Sequence, residues 1–235
     1  MPVLIITGAN RGLGLEFVRQ YAADGWTIVT INRRSSNELD ALADDYPIEI
    51  IAADLTDDAS LRHAVQQIRH DAVDLLINNA GAMGDGSFAD SGFEYQAFGT
   101  FNRDEWLRVF DINVCTPMAI TEMLADRLEK SRQPVVVTLS SMLGSNALNT
   151  MGNLYAYRAS KAAVNSIMKS MGVNLQQRGI TCVAVHPGWV RTDMGGSQAD
   201  IEAPESIAGL REAIAGLSLE DSGRFLNYRG ETMPY

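Results

Sequence analysis

The residues in this sequence best suited to moving a proton are Tyr157 and Lys161, in the run Tyr155-Ala-Tyr157-Arg-Ala-Ser-Lys161-Ala-Ala-Val-Asn165. On a helix, positions four apart share a face, so this phenol and this ammonium project side by side. Tyr155 has no such partner, since Ala159 stands four residues on. A free phenol titrates near ~10, and an acid/base useful at neutral pH needs its phenolate stabilised by about 3 units, or ~4 kcal/mol. An ammonium at ~4 Å supplies about that much at an effective dielectric of ~20. Tyr and Lys also fall four apart on ordinary amphipathic surface helices, so the pair gains meaning only from its surroundings.

A second set of residues suits phosphate. The apolar run 3–7 ends in Gly8-Ala-Asn10-Arg11-Gly12-Leu13-Gly14, and a helical stretch follows over 15–23. Strand, glycine loop and helix in that order is what a dinucleotide loop requires: glycines admit the pyrophosphate to the backbone, and the helix N-terminus offers free N–H donors. The spacing is Gly-x-x-x-Gly-x-Gly rather than Gly-x-Gly-x-x-Gly, and a glycine-rich turn can be only a turn. Its place after the first strand of an alternating chain favours the cofactor. A second buried strand reads over 26–31, and an acidic residue at its end would bond the ribose 2′-hydroxyl of NAD. Neutral Asn32 and Arg33 stand there instead, with Arg11 in the glycine loop. Such arginines suit the 2′-phosphate of NADP, at ~1.5 to 3 kcal/mol for each charge-assisted bond. The bland alternative is a group of solvated loop arginines.

The elements that must position these residues alternate throughout. Further strands are expected over 48–52, 74–77, 134–139 and 180–186, with a possible edge strand over 224–227. Helices are expected over 38–46, 57–70, 103–129, from Tyr157 to about residue 178, and over 201–217. Thr56 is placed to cap the 57–70 helix. Alternation of this kind means a parallel sheet covered on both faces: an α/β, Rossmann-like doubly wound fold of about seven strands. Asp54 follows the third strand, where its carboxylate can accept from the adenine amino group or simply shape a turn. Side-chain amides in Asn78-Asn79-Ala80-Gly81 can stitch strand ends together. The Gly-, Ser-, Asp- and Phe-rich stretch 82–102 is long for a connection and is expected to border the substrate. Ser140 and Ser141 end the fifth strand at the crevice where ligands bind in such sheets. The loop from Pro187 to Gly196 is flanked by glycines, as a hinged lid would be.

At 235 residues the chain is long enough to bury roughly 70 to 75% of its unfolded surface as one domain over 1–235. A net charge of −10 argues against a nucleic-acid partner. No apolar run approaches the ~18 residues of a membrane span. No basic leader opens the chain, and Cys115 and Cys182 sit in apolar contexts as expected buried thiols, so a cytoplasmic location is expected. No metal site is expected.

Together Thr7-Gly8-x-x-x-Gly12-x-Gly14, Asn78-Asn-Ala-Gly81, Asn113, Ser141, Tyr157-x-x-x-Lys161 and Pro187-Gly188 resemble the short-chain dehydrogenase/reductase family over nearly the whole chain. Tyr157-Arg-Ala-Ser-Lys-Ala-Ala, His186-Pro-Gly-Trp-Val-Arg-Thr-Asp-Met-Gly-Gly196 and Gly223-Arg-Phe-Leu-Asn-Tyr resemble its C-factor and Sniffer-type carbonyl reductase branch. The resemblance implies that Ser141 holds the substrate oxygen, Tyr157 passes the proton, Lys161 lowers the tyrosine pKa and grips the nicotinamide ribose, and Asn113 positions a relay water. It prefers Ser141 to Ser140. It implies NADP(H) held also by Leu55, Asn79, Ala80, Gly81, Pro187, Gly188, Val190 and Thr192, and a homo-oligomer, dimer or tetramer. The substrate implied is a small hydrophobic aldehyde, ketone or quinone, bordered by 82–102 and 190–215. Met83, Phe88, Phe93, Met142, Leu148, Met151, Trp189 and Met194 are candidate walls. Two other readings stand beside it: an NADP-binding signalling protein with little turnover, and a nucleotide-sugar epimerase or dehydratase.

Overall fold

The computed structural model describes residues 1–86, 94 and 96–235. β1 (Val3–Thr7) leads through the glycine turn into α1 (Gly12–Ala23), and β2 (Thr27–Asn32) leads into α2 (Asn37–Asp45). β3 (Ile48–Ala52), α3 (Asp58–Gln67) and β4 (Leu75–Asn78) complete the first half. The second half runs through α4 (Arg103–Phe110), a π-helical segment (Asp111–Cys115), α5 (Thr116–Leu128) and β5 (Val135–Leu139). It closes with α6 (Tyr155–Leu175), β6 (Thr181–His186), α7 (Ala203–Ala215) and the short β7 (Phe225–Asn227).

The seven strands form one parallel sheet in the order β3-β2-β1-β4-β5-β6-β7. Successive strand residues point to opposite faces, and both faces are covered. Ile5, Val29, Leu76 and Val136 pack on one side, and Leu4, Ile6, Ile28 and Ile77 on the other. That is why the strands read as continuous apolar runs instead of alternating ones. Each such side chain contributes about 1.5 to 3 kcal/mol by burial. The chain winds outward from β1 to β3, then returns to β4 on the other side of β1. This reversal opens a crevice beyond the carboxyl ends of β1 and β4.

The single helix expected over 103–129 is instead two α-helices joined by the π-helical segment, whose wider turn contains Asn113. Asp57, not Thr56, caps α3: Asp57 Oδ1 accepts from Ala59 N at 2.8 Å and Ser60 N at 3.2 Å. Thr56 is already engaged, its hydroxyl donating to Asp54 Oδ1 at 2.8 Å. Cys182 is buried in β6 as expected, but Cys115, at the end of the π turn, is exposed. Among the described residues no helix is long and apolar enough to cross a membrane.

Candidate active site

A cleft of about 720 Å³ occupies the crevice. Gly8 and residues 10–14, Asn32 and Arg33, Asp54 and Leu55, residues 79–81, Pro187 and Thr192 line it, together with Tyr157 and Lys161. Gly188 and Val190, expected there too, do not. Met194, an expected wall, lines it as well, and so do Arg34, Thr56 and Asp193, which only adjacency to an expected cofactor residue marks in the sequence.

Strand ends are locked together beneath the cleft. Asn79 Nδ2 donates to Thr7 O at 3.0 Å and Gly8 O at 2.7 Å, and Ala80 N donates to Thr7 Oγ1 at 3.1 Å. Gly8 turns at φ +67, and a Cβ on it would stand 2.8 Å from Ala80 Cα. A Cβ on Gly14 would meet Gly8 O at 2.3 Å, so the turn needs these glycines for its own closure. Asn32 is buried and does not reach outward: its Oδ1 accepts from Ala9 N at 2.5 Å and its Nδ2 donates to Thr30 Oγ1 at 3.0 Å. It braces the glycine turn, leaving exposed Arg33 and Arg34 at the rim. No side chain caps the first turn of α1, so its N–H groups stay free for an anion. A pyrophosphate fits this donor set. Asp54 serves the turn reading, accepting from Thr56 N at 3.0 Å, and that bond above all lowers its pKa. Across the mouth, Arg11 Nη1 pairs with Asp193 Oδ2 at 2.7 Å.

At the inner end, Tyr157 and Lys161 lie buried on one face of α6. Lys161 Nζ donates to Leu139 O at 2.7 Å and stands 5.7 Å from the centre of the Tyr157 ring. Burial pushes the Tyr157 phenol up to about 12, opposed by a hydrogen bond with Ser141. Burial also pulls Lys161 down to about 8. Burial thus sets the direction for both groups, and what lowers the phenol in this structure is Ser141. The two serines have different partners, and it is Ser140, not the expected Ser141, that lines the cleft. Ser140 Oγ donates to Asn165 Oδ1 at 2.6 Å, inside the α6 packing, whereas Ser141 meets Tyr157 and accepts from Leu143 N at 3.1 Å. Asn113 Nδ2 donates to Ala82 O at 2.8 Å and Ser160 Oγ at 3.0 Å, and its Oδ1 accepts from Ala82 N at 2.8 Å. Its amide thus ties the chain after β4 to α6. Gly81 lies between them: a Cβ there would be 3.0 Å from Asn113 Oδ1 and 3.5 Å from Lys161 Nζ.

Of the expected apolar walls, Met83 packs with Leu154 against Tyr157. Met142, Leu148, Met151, Trp189 and Met194 are exposed. Phe88 and Phe93 lie outside the described residues.

A parallel seven-stranded sheet with this glycine turn and with Tyr157 and Lys161 at the crevice is the frame of an oxidoreductase, and residues 2–203 match the model of the short chain dehydrogenase family. The chain belongs to that family, within its C-factor and Sniffer branch, as an enzyme that works between C=O and CH–OH. The C-signal protein of Myxococcus xanthus is 40% identical over 163 residues, covering 69% of this chain and 93% of that protein. Carbonyl reductase Sniffer of D. melanogaster matches at a TM-score of 0.90 with 31% identity, and NADPH-bound carbonyl reductase from chicken fatty liver at 0.87 with 30%. Both structures cover 100% of this chain and are covered 100% by it.

Proposed function

We propose that the chain is an NADPH-dependent carbonyl reductase acting on small hydrophobic aldehydes, ketones or quinones. The observation that carries this reading is the buried pair of Tyr157 and Lys161, 5.7 Å from ring centre to Nζ, at the inner end of a cleft whose outer rim bears arginines. NADPH would lie along the cleft, its 2′-phosphate against Arg33 and Arg34 and its pyrophosphate on the glycine turn, and would supply the hydride. The Ser141 hydroxyl then orients the substrate oxygen, and the Tyr157 hydroxyl gives that oxygen its proton. Lys161 would leave Leu139 O to hold the nicotinamide ribose, and Asn113 keeps the neighbouring backbone in place for a proton relay. Exposed Met142, Met151 and Trp189 suit an apolar substrate. In this reading residues 1–235 form one cofactor-binding domain, with 190–215 and 82–102 beside the substrate; of the latter, 87–93 and 95 lie outside the described residues. The same reading places it in the cytoplasm as a homo-oligomer, an assembly suited by exposed Leu107 on α4 and Val173 on α6.

The test is NADPH oxidation across a panel of aldehydes, ketones and quinones, with Tyr157→Phe as control. Turnover by the wild type, and its loss in Tyr157→Phe with NADPH affinity retained, is expected. Undiminished turnover by the variant rejects Tyr157 as proton donor. The C-signal relative favours a second reading, NADPH binding for signalling without turnover. Tight binding with no oxidation across the panel would select it.

A further inference from the structure

The first turn of α6 lacks a cap of its own. Leu154 precedes it in a left-handed conformation, φ 51, and its side chain carries no oxygen. The N–H of Tyr157, third in the helix, would be a buried donor without an acceptor. Its acceptor comes from 61 residues upstream: Tyr157 N donates to Gln96 Oε1 at 3.2 Å. The other end of the same amide, Gln96 Nε2, donates to Met83 O at 2.9 Å. One partner is an N–H and the other a carbonyl, so only one orientation of the amide satisfies both. Gln96 is 6% exposed. Among the described residues the non-glycine positions with positive φ are Gln96, Asn153 and Leu154, gathered on either side of this helix start. Such backbone persists only where the surroundings over-determine it, and it collects at functional sites.

We infer that Gln96 is a positioning residue for Tyr157. Its amide caps α6 from outside the helix, sets where the phenol stands relative to Ser141, and ties that setting to the segment that borders the substrate. The inference rests on the proton-donor role proposed for Tyr157. From the other side Arg158 Nε donates to Gly152 O at 3.0 Å, so the helix start is held between two anchors. Without the Gln96 amide, the Tyr157 N–H has no acceptor where water does not reach, the first turn loosens, and the hydroxyl loses its register with Ser141.

Two substitutions test this. Gln96→Met keeps length and apolar bulk but removes both bonds. It is expected to lower kcat about 10- to 100-fold, the scale of a sub-ångström to ångström misplacement. NADPH affinity should stay near the wild-type value, and hydrogen exchange at the Tyr157 amide should quicken. In Gln96→Glu the protonated carboxyl can donate to Met83 O and accept from Tyr157 N–H, whereas the ionised form can only accept. That variant is expected to match the wild type at acid pH and to lose kcat as the introduced carboxyl ionises, adding a limb to the pH profile. If Gln96→Met does not fold, Gln96→Glu alone carries the test. Wild-type kcat and pH profile in these variants, with Tyr157→Phe inactive, overturns the role of Gln96 and leaves the reductase reading intact. If the wild type reduces no carbonyl on the panel, that reading fails instead. Amide exchange at Tyr157 then decides, and an unchanged rate in Gln96→Met overturns the cap.

Discussion

Lys161 holds an ammonium where water does not reach, and this makes the fold sensitive to alkali in an unusual direction. Burial lowers its pKa from 10.5 to about 8, so between those values the unfolded chain binds a proton that the folded chain does not. Stability therefore rises with pH through that window. Tyr157 opposes it only above pH 10, where an unfolded phenol ionises and the buried one, at about 12, keeps its proton. Thermal melts at about pH 7.5 and about pH 9.5 should show the wild type gaining Tm relative to Lys161→Met, and an equal response of the two would deny the buried charge. Cofactor choice belongs to single residues too. Arg33→Ala is expected to lower kcat/KM for NADPH about tenfold or more against NADH, the loss of one charge-assisted bond. An unchanged ratio would remove Arg33 from the 2′-phosphate site. At this scale the sequence is legible where spacing alone decides: four residues along a helix put Tyr157 and Lys161 on one face. It is not legible where the fold decides. The upward shift of Tyr157 comes from burial by neighbours distant in the chain. Asn32 likewise stands at the end of β2, but its amide turns inward to Ala9.

The elements meet with little clearance around α6. A Cβ on Gly144 would stand 2.6 Å from the Lys161 carbonyl carbon and 2.8 Å from Lys161 Cβ, so the short 3₁₀ turn of Met142–Gly144 and α6 touch backbone to backbone. Overpacking of this kind costs typically about 1 to 3 kcal/mol. Gly144→Ala should therefore lower Tm by about 3 to 10 °C and kcat with it, measured by calorimetry and turnover. Wild-type values for both would mean that the helix can shift freely. Strands and helices were readable because apolar runs and 3.6-residue periods are local. The π-helical segment was not, since a five-residue widening leaves no periodicity of its own. Nor was the cap of α3: Thr56 and Asp57 are both competent, and only the prior engagement of Thr56 with Asp54 decides. Gln96 has no local mark at all, because its partners are Met83 and Tyr157.

Across the whole molecule, the sheet gathers both halves of the chain around one crevice, so a ligand there is bound by the folded state alone. NADPH at ~100 times its dissociation constant should stabilise the protein by about 2.7 kcal/mol, a rise of several degrees in Tm. NADH at the same concentration should give less, and equal shifts would contradict the NADPH preference. The doubly wound architecture was legible because strand and helix alternate without interruption, whereas the reach of Asp193 across to Arg11 depends on a fold closed over 182 residues. That ion pair is 72% and 79% exposed. Exposed pairs hold with at most about 1 kcal/mol, little more than thermal energy. The bridge it makes across the mouth of the crevice therefore adds little to holding the loop there. On a molecule of net charge −10, the arginines at that mouth form a local positive threshold whose pull on any anion falls as ionic strength rises.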